Sequence, residues 1–236
     1  MKVSIMQPGY LPWLGFFELM ERSDVFIIYD DVDYNTSSWR NRNRIRTKDG
    51  SAWLTVPVLT KGRSGQKINE VQINNNDSKW TQKHYKSLVQ YYGRSPYFDR
   101  YNPFFRDLYN SSWVKLIDLD MEIINYMRQE LDIGTKIIYS STLYGAGQKN
   151  VRIIEICREF AASEYISPNG AKSYIEPQLF EQANIKLKFQ NYKHPVYRQV
   201  YDGFVSHLST VDLLFNHGGF SKEIIMSGSC LPNSNS

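Results

Sequence analysis

Thiols are nearly absent from this chain: Cys157 and Cys230 are the only two among 236 residues. A disulfide framework or a zinc site needs more cysteines, or Cys and His at ligand spacing, and neither pattern occurs. Also lacking is any run of about 18 apolar residues, so no membrane span is expected. There is no Gly-rich phosphate loop carrying Lys, no Ser or Cys nucleophile motif and no metal-ligand spacing. Covalent catalysis through Ser or Cys is therefore disfavoured, and no metal site is expected. No repeat or low-complexity tract occurs. The excess of one charge is small: the net charge is +4 with 22% charged residues. That suits an anionic small ligand such as a nucleotide diphosphate and is too weak to argue for nucleic acid. The first residues form a strand pattern instead of the basic-then-apolar order of an export signal, so a cytoplasmic, reduced protein is expected.

Aromatic residues are plentiful, with 17 Tyr and 12 Phe. They suit ligands with both polar and apolar faces, such as sugars and bases, and they also fill cores.

The chain is organised around Lys2–Asp33. Lys2–Met6 is a short apolar run, broken by Pro8, Gly9 and Pro12. Phe16–Arg22 carries one apolar helix face, and Val25–Tyr29 is a second apolar run ending on Asp30 and Asp31. Strand, loop, helix, strand is a βαβ unit with a parallel pair. Further strands are expected at Ala52–Leu59, Ile68–Ile73, Lys136–Ser140, Glu164–Ile166 and Ile185–Gln190. Helices are expected over Trp80–Tyr92, with Asp77 or Ser78 as N-cap, and over Phe104–Asn110, Lys115–Leu131 and Asn150–Ala162, with Pro96 and Pro103 bracketing a turn. A last helix lies within Leu208–Asn216, with Ser209 as N-cap and Asp212 completing a capping box. The expected fold is α/β: a mostly parallel Rossmann-like sheet with helices on both faces and a helical middle section. Residues 1–226 read as one domain, with the helical section at about 78–134, and 227–236 as a polar, disordered tail.

In such units ligands sit beyond the carboxyl ends of the strands. Gln7, Tyr10 and Trp13 lie there as substrate-binding candidates, although Tyr10 and Trp13 would serve equally well as caps of the core. Arg40, Arg42, Arg44 and Arg46 alternate with Asn41, Asn43 and Ile45. On a strand all four arginines would share one face as a cradle for an anion, with Asn43 as a hydrogen-bonding partner. Ser167 and Asn169 follow the Glu164–Ile166 strand and are candidates too, although Ser, Pro, Asn and Gly are ordinary turn residues. His194, in a polar-aromatic segment with Tyr197 and Gln199, is the best general base. His217 suits a helix C-terminus, and His84 and His207 read as structural. Asp30 and Asp31 are candidates to orient that base, to bind sugar hydroxyls or to hold Mg²⁺. An Asp–Arg pair with one acid left free is favoured.

Several segments resemble the WbqC-like family in the same order along nearly the whole chain. They are Gln7-Pro8-Gly9-Tyr10-Leu11-Pro12-Trp13-Leu14-Gly15, Asp30-Asp31-Val32, Ser38-Trp39-Arg40-Asn41-Arg42-Asn43, Leu54-Thr55-Val56-Pro57-Val58, His194-Pro195-Val196-Tyr197-Arg198-Gln199 and Leu208 to Asn216. Asp33 stands where the family pattern has Gln. The resemblance implies bacterial surface-polysaccharide (O-antigen) biosynthesis, beside enzymes of nucleotide-linked amino sugars. It implies a transferase that places an acyl or aminoacyl group on the sugar amine, with an acyl thioester as a possible donor. A weaker similarity, to nucleotidyltransferases of the pantothenate synthetase type, implies Mg²⁺ and nucleoside triphosphates, but the paired histidines of that class are missing from this first loop. A non-catalytic binding module of the same pathway is the third alternative.

Overall fold

The computed structural model describes residues 1–77 and 79–229. The candidate cap Ser78, Cys230 and residues 231–236 of the polar tail lie outside the described residues.

Five strands build a parallel sheet: β1 (Lys2–Met6), β2 (Val25–Ile28), β5 (Lys136–Tyr139), β6 (Glu164–Ser167) and β7 (Lys186–Phe189), in the order β5-β2-β1-β6-β7. Between β2 and β5 the chain makes an antiparallel hairpin of β3 (Arg42–Thr47) and β4 (Gly50–Thr55). The helices are α1 (Leu14–Glu21), α2 (Trp80–Tyr92), α3 (Phe98–Asn110), α4 (Leu116–Glu130), α5 (Lys149–Glu159), α6 (Pro177–Gln182), α7 (Thr210–His217) and α8 (Ser221–Ser227). This is the Rossmann-like α/β architecture that the alternation of strand and helix patterns implies, and β1-α1-β2 is a parallel unit with Val3 opposite Val25.

The pleat divides the core in two, because successive strand residues point to opposite faces. Val3, Ile5, Val25 and Ile27 pack with Ile153, Ile156 and Cys157 of α5 and with Phe180 of α6. Phe26 and Ile28 face the other way, into a larger core with Phe17 of α1, Ile123 of α4 and Phe215 of α7. Hydrophobic burial on both faces explains why β2 reads as an unbroken apolar run. Cys157 is a core residue, and burial pushes its thiol up to about 12.

Several local expectations are corrected. Ile68–Ile73 is no strand: Ile68–Glu70 is one 3₁₀ turn, and Gln72 and Ile73 form only isolated bridges, to Lys115 and Val58. The apolar alternation there reflects burial of Ile68, Val71 and Ile73 against neighbouring loops. β4 stops at Thr55, before Pro57, which has no N–H to offer a ladder. Pro103 lies inside α3, in its second turn, where it removes the ladder bond to the Asp99 carbonyl. Asp77 gives α2 no side-chain cap; the helix follows Lys79. α6 and α8 are short helices that the sequence patterns above leave out. Ser209 does cap α7, its Oγ accepting from the Val211 N–H at 3.2 Å. The capping box is not formed, since the Ser209 N–H already donates to the Arg44 carbonyl at 2.9 Å and Asp212 turns into the core. Gly218 ends α7 at φ 55°, with a Cβ at that position overlapping the Tyr97 ring.

Candidate functional site

From β1 the chain steps outward to β2 and β5, then crosses back to β6 on the other side of β1. At this reversal the loops leaving β1 and β6 part in opposite directions and open a crevice at the carboxyl edge. A cavity of about 450 Å³ lies there. Its walls come from the end of β1 (Met6, Gln7), the end of β2 (Tyr29), the turn after β6 (Pro168, Asn169) and Gln190 after β7, with Trp13, Arg40 and Tyr174 around them. An adjoining hollow of about 200 Å³ shares Met6, Gln7, Trp13 and Arg40 and adds Gly9, Tyr10, Trp39 and Asn43.

The loop after β1 is held from several sides. Arg40 Nη1 donates to the Gln7 carbonyl at 3.0 Å and the Pro8 carbonyl at 3.4 Å, and the Tyr10 N–H donates to the Arg40 carbonyl at 2.8 Å. Leu11 sits at φ 49°, a region side-chain-bearing residues avoid, while Asn43 Nδ2 donates to its carbonyl at 2.7 Å. The start of α7 closes the loop, with the Thr210 N–H on the Pro12 carbonyl at 2.9 Å and a bridge from Ser209 to Trp13. Residues some 200 positions apart thus fix one loop.

Arg40 is the one charged side chain lining either hollow among the described residues. Its buried counterpart is Asp120 of α4. Burial pushes the Asp120 carboxyl well above the usual carboxylate range, Arg40 pulls the other way, and burial lowers the Arg40 pKa. The crevice therefore presents one guanidinium among Trp, Tyr, Gln and Asn side chains, a lining suited to an anionic ligand with a flat or sugar-like body.

The other sequence candidates divide. Trp13 and Asn169 line the cavity, and Asn169 Oδ1 also accepts from the Asn191 N–H at 3.0 Å. Tyr10 borders the small hollow, but its hydroxyl points into the core, where it meets Tyr109 and lies 2.8 Å from His84 Nδ1. Burial holds His84 down to about 4. Ser167 is fully buried and bonds the Pro168 carbonyl. Of the four arginines, Arg40 precedes the strand, while Arg42, Arg44 and Arg46 share one strand face: Arg42 and Arg44 sit over Trp53, and Arg46 is covered by Tyr201 and Asp202, donating to the carbonyls of Thr47, Gly50 and Asp202. Asp30 accepts from Ser141 N–H and Oγ and from Asn69, Asp31 accepts from Arg152 Nη2 at 3.1 Å, and the Ser140 hydroxyl lies between the two acids and shares its one hydrogen with them. The acid–arginine pair thus uses Arg152 of α5, and both acids stand outside the two hollows. No cluster of three or more His, Cys, Asp or Glu able to hold a metal forms among the described residues.

His194 stands apart. Its Nδ1–H donates to the Pro195 carbonyl at 2.8 Å, its Nε2 is buried without a partner, and burial lowers its pKa. The ring packs 5.0 Å from His207, which stacks on Trp13 at 5.9 Å. Two aromatic rings separate it from the crevice. Tyr197 and Gln199 are buried and donate to Asp212 Oδ2 at 2.9 and 3.0 Å. Tyr29, Tyr174, Gln190 and Asp120 went unnoticed in the sequence. The signal for Asp120 was an acid four residues after Leu116, on the buried stripe of α4.

Trp13 owes its position to Gly15, since a Cβ there would lie 2.4 Å from two carbons of the indole. Gly15→Ala should swing the ring into or out of the crevice, at a cost of about 1–3 kcal/mol in stability. A shifted tryptophan emission maximum checks this, and an unchanged spectrum and melting temperature would contradict it.

No solved structure matches the chain. An uncharacterized protein of Mycobacterium tuberculosis is 36% identical over 219 residues, covering 92% of this chain and 94% of its own length. The model of the WbqC-like protein family matches residues 7–224, a span that takes in every side chain of the crevice wall beyond β1. The chain belongs to the WbqC-like protein family.

Proposed function

We propose that this protein is a transferase of bacterial surface-polysaccharide (O-antigen) biosynthesis. It binds a nucleotide-linked amino sugar in the crevice between β1 and β6 and places an acyl or aminoacyl group on the sugar amine. The observation that carries the reading is the single guanidinium of Arg40, fixed by the Gln7 and Pro8 carbonyls at a strand-order reversal. A diphosphate pairs with its free edge. Trp13 and Tyr174 offer flat faces to a base or sugar ring, and Gln7 and Asn169 offer hydrogen bonds to hydroxyls.

In the transfer the amine nitrogen attacks the thioester carbonyl, the new C–N bond replaces the C–S bond, and the thiol leaves with the proton the nitrogen gives up. No imidazole or carboxylate lines either hollow among the described residues. The crevice then works by holding the amine as its free base against the donor carbonyl. The test is a thermal-shift and mass-spectrometric screen with dTDP-linked amino sugars and acyl thioesters. A raised melting temperature with the amino sugar and a product heavier by one acyl group are expected. Binding without turnover of any donor would make the protein a binding module, and no response to any nucleotide sugar would overturn the reading.

A further inference from the structure

The Arg-rich segment is only partly explained by the crevice, because Arg42 and Arg44 point elsewhere. Inward-facing Asn43, Ile45 and Leu54 pack the hairpin onto the body. On its outer face Arg44 lies directly across from Trp53, and Arg42 is one step along the same strand face. Trp39, just before the hairpin, folds against Trp53 edge-to-face at 4.7 Å. The Arg42 guanidinium stands 5.0 Å from the Trp53 ring centre, and that of Arg44 stands 5.5 Å from Trp39 and 5.8 Å from Trp53.

Two features of this stack call for a ligand. Trp39 and Trp53 remain 46% and 45% exposed, side by side. Neither arginine belongs to an ion pair among the described residues. The Nε of each is buried without a partner. Arg44 Nη2 has only long bonds, to the Ser206 and His207 carbonyls at 3.4 and 3.3 Å. Guanidinium groups already held over indoles lose little further freedom on binding a phosphate, and their planar forks match its oxygens. Exposed indoles stack on bases. Trp39 also lines the small hollow beside the crevice, so a molecule held on the hairpin reaches the crevice mouth.

We propose that the outer face of the β3–β4 hairpin is a second binding site, for a purine nucleotide bearing phosphate groups. One of the two indoles stacks the base, the other, nearly perpendicular to it, meets the base edge-on, and Arg42 and Arg44 pair with the phosphates. In the transferase reading this is where the nucleotide handle of the group donor docks, with its reactive end directed to the crevice. That role rests on the transferase reading; nucleotide binding by the hairpin does not.

The experiment titrates the full chain with ADP, adenosine and inorganic pyrophosphate, read by tryptophan quenching and calorimetry. ADP binds with quenching, and adenosine and pyrophosphate each bind roughly tenfold more weakly, since each keeps half of the contacts. Trp53→Ala and Arg42→Gln each weaken ADP about tenfold, from loss of a stacking surface or of a charge-assisted pair. Arg42→Lys keeps the charge and the fold but not the plane, and falls between. Asn169→Ala, in the crevice, leaves ADP affinity unchanged. Absence of ADP binding overturns the proposal, as does equal binding of pyrophosphate and ADP. ADP binding that falls in Asn169→Ala and survives Arg42→Gln also overturns it, and moves the nucleotide to the crevice. ADP binding that depends on Arg42, without any response to nucleotide sugars, upholds the hairpin site while the crevice reading fails.

Discussion

Replacing Asp212 by Ala should lower stability by about 3–5 kcal/mol, the range for removing one partner of a buried charged network. Asp212 is fully buried near the start of α7, and its Oδ2 accepts from the Tyr197 hydroxyl and the Gln199 amide. Gln199 is committed at its other end as well, its Oε1 accepting from the Val205 N–H at 2.9 Å and its Nε2 reaching the Val205 carbonyl. The carboxylate therefore organises the whole return from His194 to α7, including the histidine pair behind Trp13. Its loss leaves the Tyr197 hydroxyl and one amide hydrogen of Gln199 in the core with nothing to accept them. For a chain of this size the melting temperature should drop by roughly ten degrees. A drop of less than about two degrees would show that the network contributes little.

The same carboxyl gives a pH signature. Burial pushes its pKa up to about 6, against the Tyr197 and Gln199 hydrogen bonds that pull it down. A group whose folded pKa is raised binds its proton more tightly when folded, so its stabilising effect is full below its unfolded pKa near 4 and is lost as pH rises through 6. His84, held down to about 4, works in the opposite direction: its contribution is full above its unfolded pKa near 6.5 and disappears as pH falls through 4. Denaturant unfolding from pH 4 to 7 on the native protein and on Asp212→Asn separates the two. The stability of the native protein relative to Asp212→Asn should fall across pH 4 to 6. A flat difference would place the Asp212 pKa near its unperturbed value.

Much of the fold was legible because it rests on local patterns. β1, α1 and β2 follow from the apolar runs of Lys2–Asp33 and from what Pro8, Gly9 and Pro12 forbid, and α2 and Ser209 were placed by the same logic. The crevice position followed from the rule that ligands meet the carboxyl edge of a parallel sheet, which put Gln7, Trp13 and Asn169 on its wall. What could not be read were choices settled by distant partners. Asp31 has arginines a few residues away, yet it pairs with Arg152, 121 residues on, because β5 and α5 pack beside β2. Strand alternation put four arginines on one face, yet Arg40 left the strand to hold the β1 loop, and Arg46, on the face alternation assigns, is covered by a far loop whose Asp202 carbonyl takes its guanidinium. Tyr10 looked like a binding residue until the α2–α3 pair supplied His84 and Tyr109 to its hydroxyl. His194 carries the residue type a base needs, but its place behind His207 depends on how the 190–209 segment crosses Trp13.

Under the proposed function, Arg40→Gln is expected to weaken nucleotide-sugar binding by about ten- to a hundredfold, the loss of one charge-assisted pairing in a partly buried site. Two effects add. The ligand's anionic group loses the one cation lining the crevice among the described residues, and the carbonyls of Gln7 and Pro8 lose the donor that orients the loop carrying Trp13. Stability should suffer less than binding, because Asp120 has a carboxyl already pushed well up by burial and can take a proton when its cation is removed. Arg40→Lys keeps a charge but supplies no planar fork, so it cannot hold the loop and face the ligand at the same time, and it should recover only part of the affinity. Arg42→Gln, on the hairpin face, should leave nucleotide-sugar affinity nearly unchanged. Calorimetry with a dTDP-linked amino sugar decides the matter. Wild-type affinity in Arg40→Gln, or an equal loss in Arg42→Gln, would remove the crevice guanidinium from substrate recognition.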